Sequence, residues 1–183
     1  MPLAQQIFRF FLLLLFSASQ SKAFAQTVTR TFPESWTGKW KGTLNWYQGP
    51  TQRPSVDMEL HILPTDSVDQ YSWRLIYGKQ QKDNRPYILK PFDKSKGHWL
   101  IDELNSIVLD QFLIGDRFCG SFTVEGNTIL NTYTLSGDSL VVEFYNAQEK
   151  AIAITGGRDT TIPKVKSYGI RSFQRATLKR ADR

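Results

Sequence analysis

From Trp36 onward the chain alternates. Trp36, Gly38, Trp40, Gly42, Leu44 and Trp46 occupy one parity, while Thr37, Lys39, Lys41, Thr43, Asn45 and Tyr47 occupy the other. A period of two with one apolar face is the pattern of a half-buried strand. Val56, Met58, Leu60 and Ile62 repeat it against Asp57, Glu59 and His61. Tyr71, Trp73, Leu75 and Tyr77 repeat it against Ser72 and Arg74, with Ile76 the exception. Turn residues separate these runs at Gln48-Gly49-Pro50 and Pro64-Thr65-Asp66. Further strands are predicted at roughly 85–92, 97–104, 106–114, 117–124, 128–135, 139–146 and 167–179. Their breaks fall at Lys96-Gly97, Gly115-Asp116, Gly126-Asn127 and Gly137-Asp138. About ten strands at a spacing of about 8–12 residues, with no useful helical period, predict an all-β chain. Short connections and the need to remove exposed edges favour one up-and-down antiparallel β-barrel of about 8–10 strands. The stretch 147–166, before the last strand, reads as a long loop: a lid, a strap across a barrel end, or a mobile segment.

The N-terminus reads differently. Arg9, the apolar run Phe10–Phe16 and the small-x-small triplet Ala23-Phe24-Ala25 form the order of a cleavable secretory signal. The apolar run is too short for a spanning helix, which needs about 20 residues. The expected organisation is a signal peptide at 1–25, a linker at 26–35 and a barrel domain at 36–180. Removing Arg9 and Lys22 with the signal lowers the net charge from +6 to +4. The remaining charges are scattered, without the like-charge run of a nucleic-acid arm. The first strand also sets its tryptophans and its lysines on opposite faces, so no nucleic-acid partner is expected. Cys119 is the only cysteine and the chain has no Asn-x-Ser/Thr acceptor site. These features point to a monomer in a bacterial periplasm, or secreted from a bacterium, with no membrane span once the signal is removed.

Trp36-Thr37-Gly38-Lys39-Trp40 places a Gly-x-Trp near the mature N-terminus, and Gln174-Arg175-Ala176-Thr177-Leu178-Lys179-Arg180 ends the chain's last strand. This pairing resembles the lipocalin and wider calycin group. The resemblance implies that Trp40 closes one barrel end, covered by a basic residue of the last strand, Arg175 or else Arg171. It departs from the group in having no disulfide and ten strands, a number that fits fatty-acid-binding-like and nitrobindin-like barrels equally well. The nitrobindin-like haem ligand is a late histidine; here the last one is His98, which disfavours haem.

The candidate chemistry is that of binding. Two histidines and one cysteine offer no metal-ligand spacing, and no cofactor is expected. No nucleophile elbow is present, and Cys119 reads as a small buried hydrophobe. Glu103 shares a face with Trp99 and Ile101, inside the lumen or at the strand's open end in water. Aromatic residues on the apolar parity supply the rest. Trp46, Trp73 and Trp99 are expected as pocket walls, with Tyr71, Tyr77, Phe122 and Phe144 beside them. Gln111 and Thr132 are candidates to orient a ligand, as are Thr134 and Gln174. The expected function is binding of a small, largely apolar molecule. The alternatives are a filled barrel acting as an interaction or envelope-associated protein, and a barrel enzyme of isomerase or hydrolase type.

Overall fold

The alternating runs pair into one sheet that closes on itself. The computed structural model describes residues 31–181, and from Phe32 onward these form one unit. The signal at 1–25 and residues 26–30 of the linker lie outside the described residues. The strands are β1 (Gly38–Gln48), β2 (Thr51–Ile62), β3 (Tyr71–Tyr77), β4 (Asp83–Asp93) and β5 (His98–Asp102). They continue as β6 (Val108–Ile114), β7 (Arg117–Val124), β8 (Asn127–Ser136), β9 (Ser139–Thr155) and β10 (Val165–Arg180). Each is antiparallel to its chain neighbours, and β10 returns to β1, giving a closed ten-strand up-and-down barrel. Among the described residues, no helix is long and apolar enough to cross a membrane.

The connections divide between two ends. The β2–β3, β4–β5, β6–β7 and β8–β9 connections gather at one, with the start of β1 and the end of β10. The β1–β2, β3–β4, β5–β6, β7–β8 and β9–β10 connections gather at the other. The first end is sealed and is called the floor below; the second is the mouth.

Packing at the floor explains the seal. Trp40, Leu60, Ile62, Phe118 and Leu178 are fully buried. Residues 32–36 then add side chains that the sheet itself does not supply. Phe32 enters among three aromatic rings, 5.1 Å from Trp36, 5.1 Å from Trp99 and 4.7 Å from Phe118, centroid to centroid. A short 3-10 turn, Glu34–Trp36, sets Trp36 so that its carbonyl accepts from Trp40 Nε1 at 2.9 Å. Close approach of β1 to β10 depends on Gly42, where a Cβ would stand 2.6 Å from the Thr177 carbonyl oxygen.

Two expectations need correction. The residue that covers Trp40 is Arg180, whose guanidinium carbon lies 4.1 Å from the ring centroid. Arg180 also donates to the carbonyls of Thr37 and Ser35. Arg175 lies opposite Asn45 and Glu143, on the outer face, with its guanidinium 3.6 Å from Glu143. Arg171 donates to Asn127 at 2.6 Å. The reason is register: Trp40 pairs with Arg180, and Arg175, an odd number of residues away, points to the opposite face.

The second correction concerns 147–166. β9 runs on to Thr155 and β10 begins at Val165, so only 156–164 connect them. The outer parts of these strands pair with each other (Thr155 with Val165, Ile154 with Lys166), through a register shifted at three places. Such irregularities break the alternation that marks a strand in sequence, and strands that bury no face need no alternation.

Replacing Arg180 with Met removes a cation–π contact and two hydrogen bonds at a part-buried position. Chemical denaturation of Arg180→Met is expected to show a loss of about 1–3 kcal/mol. Arg175→Met, which breaks one exposed ion pair, is expected to cost less than about 1 kcal/mol.

Candidate functional site: a half-hollow lumen

The inward side chains fill the barrel only part of the way up. Above the aromatic floor a cavity of about 430 Å³ opens at the mouth, and all ten strands contribute to its lining. Its base is Trp73, Leu75, Gln111, Asn131 and Tyr133. Its walls are mostly apolar, with Leu44, Ile101, Leu109, Phe122, Ile129 and Phe144. Polar groups return at the mouth, where Asp83, Arg85, Tyr87, Glu103, Asn146 and Gln174 meet solvent beside Trp46. A volume in the range of about 300–1,000 Å³, with apolar walls and few polar groups, is that of a small-molecule site.

The base is polar in a controlled way. Asn131 Nδ2 donates to Gln111 Oε1 at 2.9 Å, and Gln111 Nε2 returns a longer bond of 3.4 Å. Both side chains are buried, so each amide neutralises the other where water is excluded. Gly120 makes room for the pair, since a Cβ there would lie 2.3 Å from Gln111 Nε2. The Trp73 indole packs edge-on to Tyr133, with centroids 5.0 Å apart. Its Nε1 is buried and completes no hydrogen bond, and the same holds for Asn146 Oδ1 nearer the mouth. One unpartnered donor and one unpartnered acceptor thus line the same cavity.

Burial also sets the protonation of the phenols. It pushes Tyr77 up to about 12, against the Arg85 charge, which pulls it down. Tyr133 is raised further, again chiefly by burial, with polar neighbours at the cavity base working in the other direction. Both phenols are therefore neutral donors at physiological pH. Arg85 binds Asp83 through two bonds of 2.9 and 2.7 Å and lies 5.1 Å from the Tyr77 ring centroid. The Asp83 carboxyl is held below its usual range by those Arg85 bonds, with its slight burial opposing. Tyr87 is raised, first by burial and then by the Glu103 charge.

Of the residues singled out from sequence, Trp46, Trp73, Tyr77, Gln111, Phe122, Phe144 and Gln174 line the cavity, as does Glu103 at the mouth. Trp99 does not: it is buried in the floor against Phe32, two residues closer to the sealed end than Ile101. Tyr71 is also at the floor, where its hydroxyl donates to Glu34 Oε1 at 2.9 Å. Thr132 points outward, its Oγ1 3.5 Å from Glu143, and Thr134 shares that parity. The lumen side of β8 is carried by Ile129, Asn131 and Tyr133. Cys119, opposite Thr132 and Phe112, is likewise on the outer face and only half-buried. The sequence reading missed Asp83, Arg85 and Tyr87 of β4, although Tyr87 and Leu89 share their parity and mark that face. Among the described residues no three His, Cys, Asp or Glu side chains gather as metal ligands would.

The amide pair makes an unequal prediction. Gln111→Leu leaves the buried Asn131 amide short of its partner and is expected to cost about 1–3 kcal/mol in chemical denaturation. Gln111→Leu combined with Asn131→Leu removes both partners and is expected to recover most of that loss in a double-mutant cycle.

The sequence matches no protein-family model and no curated protein. Among solved structures, the chain is similar to the S-type phycobiliprotein lyase CPES from Guillardia theta, with 11% sequence identity and a TM-score of 0.50. The likeness covers 80% of this chain and 89% of that one. At this identity it is a likeness of fold alone.

Proposed function

We propose that this barrel binds one small, largely apolar molecule in the upper half of its lumen, and that it does so after export from the cell. The observation that carries the binding reading is the cavity itself, about 430 Å³ with apolar walls and a few polar groups at its base and mouth. A barrel meant only as a rigid scaffold gains stability by filling such a space, because unfilled volume forfeits dispersion contacts. The fold neighbour, a phycobiliprotein lyase, is in keeping with a small molecule inside a barrel of this kind. Export rests on the order of Arg9, Phe10–Phe16 and Ala23-Phe24-Ala25 in the sequence.

A barrel enzyme is the second reading, favoured by the ionisable groups Asp83, Arg85, Tyr87 and Glu103 gathered at the mouth. Arg85 and Asp83 satisfy each other there, which suits a polar rim around an apolar ligand better than a free acid–base pair. Turnover of a bound ligand that stops in Glu103→Gln while binding persists would move the choice to the enzyme.

Native mass spectrometry of the protein purified from its own host, followed by denaturing extraction, tests the binding reading. The expected result is a co-purifying hydrophobic molecule at about one per chain. An empty protein that also fails to enhance an apolar fluorophore overturns it. Ile129→Trp, which projects bulk from a half-buried wall position into the cavity, is expected to reduce fluorophore uptake at least about tenfold while the barrel stays folded.

A further inference from the structure

Beyond Glu149 and Arg171 the β9–β10 hairpin leaves the barrel. The last ties to its neighbour are the Glu149 amide on the Gly126 carbonyl, at 3.1 Å, and Arg171 on Asn127, at 2.6 Å. Past them the two strands pair only with each other, as a ribbon standing at the mouth. A two-stranded ribbon has no second layer to bury apolar side chains. This one nonetheless exposes Ile152, Ile154, Ile162, Val165, Tyr168 and Ile170, with Ile152 at 64% and Ile170 at 65% of full exposure. Elsewhere on the mouth rim Leu104 and Ile107 of the β5–β6 connection and Val124 at the end of β7 are also exposed.

The charge on the ribbon is one-sided. Lys150, Arg158, Lys164, Lys166 and Arg171 face only Glu149 and Asp159. Asp159 is turned into its own loop, accepting from the Thr161 amide and hydroxyl and from the Ile162 amide at 2.6 to 3.2 Å. Lys150, Arg158, Lys164 and Lys166 are all exposed on the same ribbon as the aliphatic side chains, while Arg171 is held by Asn127.

We propose that this ribbon docks the mouth of the barrel onto an anionic phospholipid surface. Its isoleucines would enter the boundary between headgroups and acyl chains, and its lysines and arginines would lie among the phosphates. A bilayer asks for apolar side chains ringed by positive charge and for no shaped groove, and that is the chemistry the ribbon carries. Exposed apolar surface concentrated on one protrusion marks an interaction site, and its place beside the mouth would let an apolar molecule pass between bilayer and lumen without crossing water. The docking itself does not depend on what the lumen holds.

Sedimentation with vesicles of phosphatidylcholine, with and without phosphatidylglycerol, tests it on the chain from Gln26, which keeps the whole closed barrel and removes the apolar N-terminal run. Binding is expected only when phosphatidylglycerol is present, and it should weaken as salt rises. Ile152→Ser/Ile154→Ser/Ile170→Ser and Lys164→Glu/Lys166→Glu are each expected to weaken it at least about tenfold. Both substitution sets lie outside the closed barrel, so an unchanged melting curve shows that the fold is intact. Absence of vesicle binding by the unaltered protein overturns the proposal, as does equal binding by well-folded variants. A dimer in light scattering that the isoleucine variant dissolves, without vesicle binding, would assign the ribbon to a second copy of the chain and overturn it equally.

Discussion

The guanidinium of Arg180 lying over the indole of Trp40 is the contact on which the rest of the molecule depends, because it joins the two ends of the sheet. β1 and β10 are the first and last strands, and the barrel exists only if they pair. The pairing is unfavourable in chain entropy, since it brings together residues separated by almost the whole domain. It is stabilised where the backbones come closest, at Gly42 against Thr177, and where Arg180 reaches past the sheet to hold the carbonyls of Ser35 and Thr37. The same contact holds the segment that carries Phe32 and Trp36 into the floor.

That plug decides where the hollow lies. Inward side chains fill the interior of a barrel of about eight strands, and a wider barrel leaves space. Here Phe32 and Trp36 supply the missing volume at one end, in contact with Trp99 and Phe118. Among the described residues nothing equivalent enters from the other end, so the space between the Gln111–Asn131 pair and the mouth stays open. Trp73 sits on the boundary: one side of its ring packs on Phe118 at 5.2 Å, and its edge lines the cavity. The filled half provides the stability and the open half provides the volume for a ligand.

The two ends differ in chemistry for the same reason. The floor satisfies its polar groups internally, as Trp40 Nε1 does on Trp36. The lumen side of the mouth carries the Asp83–Arg85 pair and one unpartnered acceptor, Asn146 Oδ1, and the ribbon beside it exposes aliphatic side chains. A route into the lumen from one side only follows from this polarity, and it sets the ribbon beside the point of entry.

Local chemistry was enough to determine that the chain is all-β, that it has about 8–10 strands, where most of its turns fall and which parity of most strands is buried. Each of these depends on side chains at nearest-neighbour spacing, so a period of two in the sequence carries them. Trp46, Trp73, Tyr77 and Gln111 were recognisable as inward residues for that reason. Four things were decided only by the tertiary structure. Height along the barrel placed Trp99 and Tyr71 in the floor, because alternation tells inside from outside but not top from bottom. Register between the first and last strands chose Arg180 over Arg175, and the parity of β8 turned Thr132 outward in favour of Asn131 and Tyr133, because polar residues on both faces left the sequence ambiguous there. The continuation of β9 and β10 into a ribbon depends on backbone pairing between segments that bury no face, and such pairing leaves no alternation in the sequence to read.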